Sequence, residues 1–172
     1  MTTPRIAIDP GASGGIAWDD GNDIVAAESM PKGMTEQVDE LRTLKCNYPD
    51  ARVVIEKVGG YMPGNSGPAA CTFARHCGNL EAALYCLEFP VEQVAPTVWQ
   101  SSLGTLPTAP KAPRGSTPEV KAQYRKAQAK AKTERKNAIK EMMQRRYPHL
   151  KVTLATADAL GILTWAMKED KP

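Results

Sequence analysis

Apolar residues open the chain in three short bursts, at 5–8, 15–18 and 24–27, separated by Asp, Asn and Gly. Runs of that length between turn-forming residues predict a three-strand antiparallel meander. The spacing then changes, for Val38, Leu41 and Leu44 recur every three residues. This predicts an amphipathic helix over 35–44 with Thr35 as its N-cap. A fourth strand follows at 52–56, ending on Glu56, so the helix is expected to be the crossover that parallel strands require. Residues 59–68 hold four Gly and two Pro and predict an irregular, exposed and mobile loop. Beyond it come a helix over 69–87, a short strand at 91–94 and a helical turn at 96–103 carrying Trp99.

The last third is patterned differently. Residues 107–118 are a Pro, Ser, Thr, Lys and Arg linker with little capacity for a core. The helix predicted over 119–146 becomes periodic only at Ile139, Met142 and Met143, so its first half is expected to stand exposed and its second half to dock. A final helix over 155–167 places Leu160, Leu163 and Met167 on one side and carries Asp158.

Composition narrows the class. With 172 residues, of which 42% are hydrophobic, the chain has material for one well-cored domain plus a polar appendage. It has no apolar run long enough to span a bilayer, and residues 1–4 lack the parts of a signal peptide. A soluble, cytoplasmic protein without membrane contact is expected, in a bacterial or phage-infected cell. Cys46, Cys71, Cys77 and Cys86 have no paired spacing and are expected to be reduced thiols; a zinc site from Cys71, His76 and Cys77 is the less favoured alternative. The net charge of +3 conceals an asymmetry, because residues 109–151 hold thirteen Lys or Arg against three acids. That stretch carries +10 and the remainder −7, the pattern expected of a partner that is a polyanion, nucleic acid above all.

Three acids stand in unusual settings. Asp9 ends the first apolar run and leads into Pro10-Gly11-Ala12-Ser13-Gly14-Gly15, Glu56 ends Val53-Val54-Ile55, and Asp158 lies near the start of an apolar helix. A strand fixes a carboxylate rigidly, and a glycine turn leaves space above it for a phosphate or a cation. Acids embedded in apolar structure need charge compensation, and a divalent cation is the usual form for several together. Singly, each also reads as a turn residue, a strand-end ion pair or a helix N-terminal acid.

Taken in order, these pieces resemble the RuvC-like Holliday-junction resolvases found in phages. Ile8-Asp9-Pro10-Gly11-Ala12-Ser13-Gly14 resembles the first acidic motif of that family and Val54-Ile55-Glu56-Lys57-Val58 the second. Phe73-Ala74-Arg75 through Gly78-Asn79-Leu80 looks like the helix that follows, Val94-Ala95-Pro96-Thr97-Val98-Trp99 like the next strand exit, and Ala157-Asp158-Ala159-Leu160 like the final acidic motif. The resemblance implies an RNase H-like α/β fold, with a mixed five-stranded sheet in which the first and fourth strands lie side by side. It implies a metal-dependent endonuclease that resolves four-way junctions by paired symmetric nicks, leaving 5′-phosphate and 3′-hydroxyl ends. Asp9, Glu56 and Asp158 would be both catalytic and metal-binding. Two Mg²⁺, replaceable by Mn²⁺, would share Asp9, with Glu56 and Asp158 on one ion each. Paired nicks imply a homodimer, for which the 69–87 helix is the candidate interface.

The family generally has a further ligand three or four residues before the last acid, where this chain has Ala155 and Leu154. Three carboxylates suffice, or another residue such as Glu134 or Asp170 substitutes, or the chain is a deliberately inactivated variant; the alternative function is a junction-binding protein of the same fold without efficient cleavage. For DNA contact, Tyr61 and Met62 are candidate wedges and Arg75 a candidate phosphate ligand, while Lys121, Arg125, Lys130, Lys132, Arg135 and Lys136 are expected to supply nonspecific affinity. An actin-like nucleotide fold would need a second glycine-rich phosphate loop, which the chain lacks, so no nucleotide cofactor is expected.

Overall fold

A computed structural model describes residues 2–22, 24–59 and 66–169. The first three strands, β1 (Arg5–Asp9), β2 (Gly15–Asp19) and β3 (Val25–Ser29), form the antiparallel meander. Helix α1 (Met34–Asn47) crosses to β4 (Arg52–Glu56), and α2 (Gly67–Cys86) leads to β5 (Val91–Val94). Both β4 and β5 run parallel to their neighbours, giving the order β3-β2-β1-β4-β5. Three helices complete the fold: α3 (Pro96–Ser102), α4 (Pro118–Arg146) and α5 (Leu154–Glu169). Among the described residues no helix is long and apolar enough to cross a membrane.

Strand alternation divides the core into two layers. Ile6, Ile8, Ile16, Val53 and Ile55 face α1 and α2, where they meet Leu41, Leu44, Leu80 and Leu84. Ala7, Ala17, Val25 and Val54 face the other way, against α5. The small side chains there let α5 lie close to the sheet, and α3 and α4 cover its outer side. At one end of the sheet Arg5 and Asp19, both almost fully buried, pair at 3.3 Å.

Two expectations change. Helix α1 starts at Met34 with Gly33 as N-cap and no side-chain cap, so Thr35 lies inside the first turn; the Glu36 carboxylate lies against Gly33, where a Cβ would collide with it. Helix α5 is buried on all sides, with Ala157, Leu160, Ile162, Leu163 and Ala166 at 1% exposure or less. It is a central helix between the sheet and α3 and α4, which is why its apolar residues do not keep to one stripe. Its start is fixed by reciprocal bonds: the Thr156 amide donates to Thr153 Oγ1 at 3.2 Å and the Thr153 amide to Thr156 Oγ1 at 3.0 Å.

Candidate active site

Asp9 and Glu56 come together through sheet register. Ile8 pairs with Ile55 across the parallel β1 and β4, and the next residue on each strand is the acid. Alternation puts Asp9 on the face of Ala7 and Glu56 on the face of Val54, so both project toward α5. Asp158 enters from the second turn of that helix. The turn after Asp9 is shaped by glycine. Gly11 has φ +117°, and a Cβ on Gly14 would meet the Asp9 carbonyl oxygen at 2.0 Å and the Asp9 Cγ at 3.2 Å. Space beside that carboxylate exists because position 14 has no side chain.

The electrostatics follow from burial. Desolvation, together with the charges of Asp158 and Glu56, pushes the Asp9 carboxyl from 3.8 up to about 8, with Lys136 opposing. Burial also raises Glu56, offset by a hydrogen bond from the Trp99 indole N–H to Glu56 Oε1 at 2.9 Å. Asp158 is raised by burial and lowered by Lys136. Among the described residues, the Lys136 ammonium thus acts on all three acids.

Lys136 is half-buried beside a cleft of about 430 Å³ that reaches Asp158 and is lined by Gln100, Gln128, Ala131 and Lys132. Its proximity to the acids has a signal in the sequence pattern. Extending the buried stripe of Met143 and Ile139 back by helical steps arrives at Lys136 and then Lys132.

The remaining basic candidates separate by position. Arg75, Lys121, Arg125, Lys130 and Lys132 are exposed, and Lys130 pairs with Glu134 at 3.8 Å. Arg135 is turned inward: its Nε donates to the Pro107 carbonyl at 2.8 Å and its Nη1 to Gln100 Oε1 at 3.3 Å. With Gln128 Nε2 donating to the Pro110 carbonyl at 3.0 Å, it straps the linker to α4. Tyr61, Met62 and Asp170 lie outside the described residues.

The donor set fits hard divalent cations, being all oxygen and mutually repulsive until compensated. Among the described residues no three His, Cys, Asp or Glu side chains gather closely enough to hold one ion. Cys71, His76 and Cys77, all among the described residues, form no such cluster. Cys77 is buried, and Nδ1 of His76 faces Gln37 Nε2 at 3.3 Å. Glu134 points to Lys130, and four and three residues before Asp158, Leu154 is 47% exposed and Ala155 sets its carbonyl against Gly15.

No family model matches the chain, and no curated protein does. Among solved structures it is similar to Thermus thermophilus RuvC in complex with a Holliday junction substrate, at 16% identity and a TM-score of 0.55 over 98% of this chain and 96% of that one. A second T. thermophilus RuvC structure aligns at 16% identity and 0.47, covering 96% of each chain. Fowlpox virus resolvase, in complex with its Holliday junction substrate, aligns at 13% and 0.42, over 96% of this chain and 99% of that one. Only the first likeness carries weight, and it shows the fold alone: a mixed five-stranded sheet flanked by helices, like that of the T. thermophilus RuvC structure.

Proposed function

We propose that this protein is a metal-dependent, structure-selective DNA endonuclease that resolves four-way junctions by paired nicks as a homodimer. The observation that carries the reading is the meeting of Asp9, Glu56 and Asp158 on one face of the sheet, beside a strongly basic helix. A phosphodiester backbone brought along α4 meets Lys132 and Lys136 before it reaches the acids. The Gly11 to Gly14 turn leaves room for phosphate oxygens at Asp9. Glu56 has one oxygen engaged by Trp99, which holds the carboxylate in one orientation and leaves Oε2 for ligation. Lys136 offsets the charge of the acids while the site is empty of substrate.

Two Mg²⁺ held by Asp9 with Glu56 and by Asp9 with Asp158 would supply an activated water and stabilise the leaving 3′ oxygen. To hold a cation Asp9 would have to be ionised, and burial with the neighbouring acids raises its carboxyl to about 8 in the metal-free protein. Products with 5′-phosphate and 3′-hydroxyl ends follow from this chemistry.

A second reading, junction binding without efficient cleavage, is favoured by Leu154 and Ala155, which offer no side-chain ligand. The deciding experiment incubates the protein with a synthetic four-way junction, a linear duplex and a fork in Mg²⁺ or Mn²⁺, with Asp9→Asn as the blank. Paired nicks confined to the junction and lost in the variant are expected. Tight junction binding without nicks would favour the second reading, and an acid restored at position 154 or 155 would then test whether cleavage returns.

A further inference from the structure

Trp99 is fully buried, yet its indole N–H is spent on a carboxylate of the candidate site rather than on the backbone. A buried indole needs an acceptor, and many residues could have offered one. The choice of Glu56 matters because of what holds the ring. On the side of α5 the ring edge lies over Gly161, where a Cβ would come within 2.6 Å of Trp99 Cζ3 and 3.1 Å of Cε3. Gly161 is one helical turn beyond Asp158, three residues along the same helix. The indole therefore sits in a notch cut into the helix that carries one acid, and bonds the other.

Helix α3 is clamped to α5 at its far end as well. Lys168 Nζ donates to the Ser102 carbonyl at 2.7 Å, and Ser102 Oγ donates to the Trp99 carbonyl at 2.8 Å. Pro96 lies in the first turn and Trp99 is the buried residue of this seven-residue element, so α3 has little besides the indole to place. Its two attachments to α5 hold the ring in place independently of Glu56.

We propose that Trp99 is a positioning residue for cleavage: seated on Gly161, it fixes Glu56 of β4 relative to Asp158 of α5, so that the two acids keep the separation that ligation and phosphate placement require. The inference rests on Glu56 acting in cleavage as proposed above. Without the indole N–H, Glu56 is free to rotate about its side-chain bonds while the fold and the DNA-binding surface stay as they are. Partners that orient ligating groups are typically worth about 10–100-fold in metal affinity or activity. The loss is expected in the rate of the chemical step and in the Mg²⁺ concentration needed for it, with junction affinity unchanged.

The test has one arm that needs neither metal nor activity. In ¹H–¹⁵N spectra of the metal-free protein the three tryptophans give three indole resonances, and Trp99→Phe identifies the one from position 99. Glu56→Ala is expected to shift that resonance and speed its hydrogen exchange, leaving Trp18 and Trp165 in place. An unmoved Trp99 resonance would overturn the proposal, whatever the cleavage results. In the second arm, Trp99→Phe and a protein with 3-benzothienylalanine at position 99 are compared with wild type. The analogue keeps the bicyclic shape and lacks only the N–H, so it serves if the smaller ring unsettles the core. Single-turnover cleavage of the junction is expected to fall at least about tenfold and half-saturation in Mg²⁺ to rise by a similar factor, while junction affinity measured in Ca²⁺ stays within about twofold. Unchanged rate and Mg²⁺ dependence in the shape-preserving analogue would reduce Trp99 to a packing residue. If wild type itself cuts no junction, the proposed function fails, and the spectral arm still decides whether Trp99 holds Glu56.

Discussion

Asp9→Asn should make the metal-free protein more stable, and increasingly so as pH rises. The carboxyl titrates near 3.8 in an unfolded chain and at about 8 in the fold. Between those values the folded state keeps a proton that the unfolded state has lost, so wild-type stability declines with rising pH and levels off above about 8. At about 1.4 kcal/mol per pH unit the ceiling is about 5–6 kcal/mol; water entry and side-chain relaxation reduce this to about 2–3 kcal/mol for a site that opens onto a cleft. Asparagine keeps the shape and removes the charge. The variant should match wild type near pH 4 and melt about 5–10 °C higher at pH 8.5, the shift expected for a domain of this size. Thermal melts in EDTA from pH 4 to 9 provide the measurement. Curves for the two proteins that run parallel across that range would refute the argument, since the cost would then not come from ionising Asp9. Adding Mg²⁺ at pH 8.5 should raise the wild-type midpoint by more than the variant's, because the variant lacks the Asp9 charge and retains only the weaker repulsion between Glu56 and Asp158.

Three further outcomes follow from particular contacts. Mg²⁺ added to weakly buffered protein should release close to one proton per site at pH 7 and much less above pH 9, read as a pH change or by calorimetry across buffers, because the proton displaced from Asp9 is bound only below about 8. Arg5→Met should cost about 3–5 kcal/mol in urea denaturation, since Asp19, 1% exposed, would keep, among the described residues, the Gly21 amide at 2.9 Å but lose its ion partner. Lys121→Ala with Arg125→Ala should lower the slope of log affinity against log salt by up to about 2 without changing the cleavage rate of bound junction, whereas Lys136→Met should lower that rate more than tenfold for a slope change of about 1 or less; fluorescence anisotropy and single-turnover cleavage separate the two effects.

Much of this was readable along the chain because it depends on local spacing. Most of the strands and helices among the described residues follow from runs of two kinds of periodicity, and Asp9 and Glu56 each announce themselves as an acid closing an apolar strand. The charge on residues 109–151 is a matter of counting. What spacing does not contain is which side of an element meets which neighbour. Helix α4 illustrates this: its basic residues look equivalent in sequence, yet docking through Ile139 and Met143 turns Lys136 toward the acids, draws Arg135 into the linker strap and leaves Lys121 and Arg125 exposed.

By itself, then, the sequence determined the elements, their order, the three carboxylates and the basic arm, since each is set by residues within a few positions of one another. Tertiary structure alone decided that Lys136 faces all three acids, that α5 is buried on every side, and that Trp99 bridges Gly161 and Glu56. Those depend on contacts between residues tens of positions apart, such as 56 with 99 and 99 with 161, where the deciding quantity is a clash of a few ångströms or the burial of a charge. Neither leaves a periodic trace in the chain.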